Sequence, residues 1–124
     1  MTKITFYKSG GVFYGFREQG HTGYDIAGKD ILCAAISAMT MLVINAVEVS
    51  YATRVDYNID EETTDIKVIV PSALPEYESD EKKRYAVSGL IAAYYYQLND
   101  MLEDYYDYLE VDETDVPLDT ATKL

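Results

Sequence analysis

Residues 20 to 37 read G-H-T-G-Y-D-I-A-G-K-D-I-L-C-A-A-I-S, and they hold the only histidine and the only cysteine of the chain, His21 and Cys33. The stretch passes from glycine-rich to apolar and helix-forming within a dozen residues, so it divides a strand-like opening from a helical middle. Asp30 is suited to cap a helix running to about Glu48. With Asp30 at the cap, Cys33 falls at the third helical position, where unsatisfied backbone N–H groups and the positive end of the helix dipole favour a thiolate. His21, ahead of the same helix, is placed to accept the thiol proton and to stabilise the thiolate as an imidazolium. The N–H groups of the first turn, that of Cys33 included, would then serve as an oxyanion hole. Each residue also has a plainer reading, the cysteine as a small core residue and the histidine as a hydrogen-bonding surface residue.

Outward from this stretch the elements alternate without a linker. Thr2 to Lys8 and Val12 to Arg17 alternate polar and apolar residues around Ser9-Gly10-Gly11, which predicts a β-hairpin. Glu18 to Lys29, with Gly20, Gly23 and Gly28, reads as a loop, and those glycines as permissive positions that let the segment bearing His21 move. Ser50 to Ile59 and Asp65 to Val70 read as strands joined by an acidic turn at Asp60-Glu61-Glu62, and Pro71 and Pro75 end the second. A long helix is expected from about Ser79 to near Tyr106, with Tyr85, Val87, Leu90, Ile91, Tyr94, Leu98 and Leu102 spaced by threes and fours. Tyr108 to Val111 reads as a short strand, and the tail after Asp112 as frayed.

The expected architecture is a single α+β domain over residues 1–124, an antiparallel or mixed sheet of four or five strands with two helices packed on it. The first helix is apolar nearly all round and Tyr94, Tyr95 and Tyr96 follow one another on the second. Covering both takes more material than a 124-residue chain offers, which predicts a homodimer. One cysteine forms no internal disulfide, and the N-terminus shows no signal or transit pattern, so a cytoplasmic address is the default. Ile31 to Val47 is at the short end for a membrane span and is broken by Ser37, Thr40 and Asn45, which favours a buried helix and no membrane.

Net charge is −12, and of the 22 carboxylates 18 lie after residue 55. Such a surface opposes a phosphate backbone, so no direct nucleic-acid partner is expected. Nine carboxylates and no Lys or Arg lie between Asp100 and Asp119. That run reads as a solvated face, or as a surface that attracts a basic partner. No metal or other cofactor is expected: one His and one Cys, with Asp25 and Asp30 nearby, make a poor zinc set, and the glycine spacing is neither a P-loop nor a dinucleotide fingerprint.

The segments G-H-T-G-Y and G-K-D-I-L-C-A-A-I-S, after a hairpin holding Gly15-Phe16, resemble the signature of Prp, the bacterial family of ribosomal-processing cysteine proteases. The resemblance implies a catalytic dyad of His21 and Cys33, with Asp30 and Ser37 at the matching supporting positions. Thr22 stands where alanine is common in the family and Leu32 where valine is common, and the acidic, tyrosine-rich final third matches no motif. It further implies a cysteine endopeptidase that removes a short N-terminal extension from large-subunit ribosomal protein number twenty-seven, a homodimer, and a mobile glycine-rich loop over the site. The rival reading is a non-catalytic ribosome-associated protein whose acidic surface binds a basic ribosomal protein. Selective alkylation of Cys33 near neutral pH distinguishes the two.

Overall fold

The computed structural model describes residues 1–20 and 27–124, with the backbone alone for residues 27–30. Thr2–Ser9 (β1) and Val12–Gln19 (β2) pair antiparallel across a turn in which Gly10 and Gly11 take φ of 58° and 81°. Two positive φ values in a two-residue connection match the right-handed twist of the strands that it joins. Asp56–Ile59 (β3) and Ile66–Ile69 (β4) form a second antiparallel pair, and β4 joins the free side of β2. Leu109–Asp115 (β5) closes the sheet by running parallel to β1, with Thr2 opposite Leu109, which gives the order β3-β4-β2-β1-β5. The sheet is therefore mixed and five-stranded, within the expected range.

A bulge in β2 decides what the sheet buries. Phe13 and Phe16 are three residues apart, so strict alternation would send them to opposite faces. The register slips between Tyr7 and Lys8, so that Gly15 faces Tyr7 and Phe13 faces Lys8, and Tyr14 becomes the extra residue. Both phenylalanines then pack on Phe6, with ring centroids at 6.0 and 5.4 Å. Tyr14 stacks instead on Tyr7, 6.3 Å away. Gly15 is required where it stands, because a Cβ there would come within 2.6 Å of the Val68 carbonyl oxygen.

Two helices cover the face that carries Ile4, Phe6, Phe16 and Val68, all fully buried. The first, Ala27–Asn45 (α1), runs on into a π-helical turn at Ala46–Ser50. The second, Glu81–Tyr105 (α2), is capped by Asp80, whose carboxylate accepts the Lys82 N–H at 2.9 Å. Its buried stripe is Val87, Ile91, Tyr94 and Leu98, whereas Tyr85 points to solvent. Tyr94 and Tyr95 reach Phe6 with centroids at 5.6 and 5.2 Å, and Tyr96 stays exposed.

Four expectations need correction. α1 begins at Ala27, so Asp30 is its fourth residue, not its cap, and Gly28 is helical instead of part of a loop. Ala27 and Lys29 are good helix formers, and one glycine near a helix end costs about 1 kcal/mol at most. The strand expected over Ser50–Ile59 is confined to Asp56–Ile59, because Ala52 takes a φ of 50° that extended chain does not allow.

The tail does not fray. β5 continues to Asp115, and Leu118–Lys123 (α3) folds back with Leu118 and Ala121 buried. Lys67 donates to the carbonyls of Ala121 and Thr122 at 3.1 and 3.3 Å, and Arg17 to that of Leu124 at 3.1 Å, so two cations close the negative end of this short helix. Arg17 and Lys67 are cross-strand partners on the face opposite Phe16, so α3 makes a third layer and the helices number three among the described residues. Tyr7 and Tyr14, stacked on each other, are buried on the same side of the sheet.

Finally, α1 is covered on one side. Leu32, Ile36, Val43 and Ile44 are buried, but Ile31 and Leu42 are 60% and 63% exposed. Among the described residues the segment Ile31–Ser50 is long and apolar enough to cross a membrane, with a mean hydropathy of 1.9 and a third of its most apolar window buried.

Candidate active site

Cys33 is a free, partly buried thiol on α1, next to the fully buried Leu32. Ser37 follows one turn later and is exposed, and Thr40 follows two turns later and is buried. Residues four and seven apart share a helix face, so one stripe of α1 carries a thiol and two hydroxyls from the surface into the core.

The early start of α1 changes the chemistry available to the thiol. Cys33 is the seventh helical residue, beyond the four whose N–H groups lack an intrahelical acceptor. Its own N–H belongs to the helix ladder, so the expected oxyanion hole does not include it, and the dipole contribution fades past the first turn. His21 and Gly23 lie outside the described residues. Gly20 follows β2 at a φ of 80°, and a Cβ there would collide with the Met1 carbonyl, which makes the glycine a requirement of the backbone path.

Beneath this stripe the structure brings together three residues that the sequence analysis does not place at the site. Glu18 on β2 is fully buried, and its Oε1 accepts hydrogen bonds from the Thr40 hydroxyl on α1 and, at 2.9 Å, from the Tyr94 hydroxyl on α2. The two hydroxyl oxygens are 3.1 Å apart. Burial, and then the neighbouring Glu18, push the Tyr94 phenol far above its usual range, so it remains a donor. The sequence held a signal for this cluster: continuing the period-two pattern from Phe16 puts Glu18 on the helix-covered face, and Thr40 lies one turn from Ile36 on the buried side of α1.

Between α1 and α2 lies an apolar hollow of about 250 Å³ lined by Met39, Leu42, Val43, Leu90 and Ala93. Two hollows that share Asn58 and Lys67 lie on the other side of the sheet, against the end of α3. Among the described residues no group of three or more His, Cys, Asp or Glu side chains comes together to hold a metal ion.

Comparison with solved structures finds the same fold several times. SMU.848 from Streptococcus mutans matches with a TM-score of 0.76 and 27% identity, over 94% of this chain and 99% of that one. The essential ribosomal processing protease Prp from S. aureus, in complex with a substrate peptide, matches with a TM-score of 0.75 and 16% identity, over 92% of this chain and 100% of that one. The same protease with a covalently linked product peptide matches with a TM-score of 0.70, again at 16% identity with 92% and 100% coverage. A search of curated proteins found no match. The sequence model of the cysteine protease Prp family matches residues 1–110, which hold the whole of β1 to α2 and the thiol of Cys33. This chain belongs to the Prp family of cysteine proteases.

Proposed function

We propose that the protein is an endopeptidase that removes a short N-terminal extension from large-subunit ribosomal protein number twenty-seven, with Cys33 as nucleophile and His21 as its base. The observation that carries this reading is the family match over residues 1–110 together with a free, partly exposed thiol on α1. The imidazole takes the thiol proton, the thiolate attacks the scissile carbonyl, and the imidazolium returns the proton to the leaving amine. Water then hydrolyses the thioester that remains. Asp30 and Ser37 are supporting residues. The N–H of Cys33 is committed to the helix, so oxyanion stabilisation falls to other donors.

The choice of substrate is supported by the S. aureus ribosomal processing protease of the same fold, which was captured with a substrate peptide and with a covalently linked product peptide. Acidic residues on the final third suit a basic ribosomal protein. We place the protein in the cytoplasm, where ribosomes assemble, as a homodimer. Support for the dimer comes from the uncovered apolar side of α1, where Ile31, Met41 and Leu42 are exposed.

Incubation of the purified protein with the extended ribosomal protein, followed by mass spectrometry, tests the reading. One truncated product that Cys33→Ala fails to form is the expected result. An intact substrate after prolonged incubation with wild-type protein would overturn it.

A further inference from the structure

Glu18 is the one described carboxylate that is buried completely, and the proposed chemistry does not use it. Acidic side chains are rarely buried, and replacing a buried charged cluster with apolar residues of similar size is often neutral or stabilising, so packing alone is a poor reason for one here. Its surroundings suggest another reason. Glu18 is the second-last residue of β2 and stands three positions before His21 in the sequence. Its hydrogen-bond donor Thr40 is on α1, two turns from Cys33 on the same helix face. Its second donor, Tyr94, comes from α2, which packs across both. One carboxyl oxygen therefore joins the strand that leads to the proposed base, the helix that carries the thiol and the helix that holds them together.

We infer that Glu18 is a positioning residue for the reaction of Cys33: through Thr40 and Tyr94 it fixes the end of β2 against α1, and so sets where base and thiol meet. The inference rests on the His21 and Cys33 assignment above. Two hydroxyl donors on separate helices fix the carboxyl more tightly than apolar packing would, because hydrogen bonds are directional and hydrophobic contact is not. A misplacement of 1 Å in such a pair is enough to slow catalysis by about 10²-fold.

Glu18→Gln keeps the shape of the side chain, Thr40→Val removes one hydroxyl, Tyr94→Phe removes the other, and Thr40→Ser restores the first. Each variant is assayed for kcat and KM on the extended ribosomal protein, for the rate of Cys33 alkylation by iodoacetamide at neutral pH, and for its melting temperature. We expect Glu18→Gln and Thr40→Val to lose at least ~10-fold in kcat with KM changed by less than ~2-fold, and Cys33 alkylation to slow in parallel. Thr40→Ser should recover most of both. Unchanged kcat and alkylation in folded Glu18→Gln or Thr40→Val would overturn the inference, as would losses that only follow the folded fraction. The alkylation rate needs no substrate. If it responds to the variants while wild-type protein cleaves nothing, the positioning role stands and the protease assignment falls. If wild-type protein cleaves and the variants match it, the reverse holds.

Discussion

The Tyr14 hydroxyl on β2 donates to the Val116 carbonyl at 2.7 Å, and so ties the body of the fold to a segment beyond the residues that the family model matches. The tie is made where β5 ends and α3 begins, over the face that carries Tyr7. Tyr14→Phe should therefore lower stability by about 1 kcal/mol, the usual net worth of such a bond. Leu118→Ala should cost about 2 kcal/mol or more through lost burial. The midpoint of urea unfolding measures both, and a midpoint unchanged in Leu118→Ala would show that α3 does not stabilise the sheet.

Alkali should destabilise the protein earlier than its acidic composition suggests. Burial raises Tyr14 to about 12 and Tyr94 further, and Tyr7 and Tyr95 shift in the same direction. In the unfolded chain these phenols lose their protons near 10, so above that pH the unfolded state binds fewer protons than the folded one. The stability they support is complete below pH 10 and declines as pH rises toward 12 and beyond. Unfolding midpoints at a series of pH values from 8 to 11.5 should fall beyond 10, and Tyr94→Phe should fall less steeply.

At the proposed centre, Cys33→Ala should abolish cleavage, and Cys33→Ser should do nearly the same because a hydroxyl is far harder to ionise. The side chain is only partly buried, so both variants should keep the wild-type melting temperature within a few degrees. Product formation by Cys33→Ala at the wild-type rate would rule out the thiol as nucleophile.

Replacing the base should leave some activity. His21→Ala should slow cleavage by at least ~10²-fold, the usual share of a positioned proton acceptor, and should slow alkylation of Cys33 at neutral pH. Wild-type alkylation kinetics in this variant would mean that the thiol is activated without the imidazole.

Charge should act on encounter more than on chemistry. Asp100, Glu103, Asp104 and Asp107 lie at the acidic end of α2 and just past it. The value of kcat/KM for the full-length basic substrate should fall as ionic strength rises, and much less for a short uncharged peptide spanning the cleavage site. Neutralising the four residues together should remove most of that difference. Equal salt sensitivity of the two substrates would assign the acidic face to solubility alone.

Much of the fold could be read from local patterns. The Gly10-Gly11 turn, the two hairpins and the buried stripe of α2 all rest on periods of two or of three and four, and the structure has each of them. α3 is not legible because two apolar residues, Leu118 and Ala121, are too few to show a period, and the cations that close its end, Arg17 and Lys67, stand 107 and 54 positions before the carbonyls they reach. The bulge at Tyr14 was missed for a related reason, since only the pairing of Phe13 and Phe16 against Phe6 reveals it. At the candidate site, the thiol and its helix were legible but the helix start was not, because Ala27, Gly28 and Lys29 carry no cap signal that outranks Asp30. Glu18 escaped notice because a charged residue at a strand end reads as solvated until the helices above it are in place.

Parallel pairing of β1 with β5 has a consequence for the order of assembly. The first strand acquires its second neighbour only when residues 109 to 115 are available, more than a hundred positions later. Contacts of such long range slow folding, because the chain loses the entropy of closing the loop before the pairing rewards it. During synthesis from the N-terminus, β1 keeps a row of free N–H and C=O groups until residues 109 to 115 have emerged. A product that stops short of β5 presents that row as an open edge to any strand it meets, its own copies included.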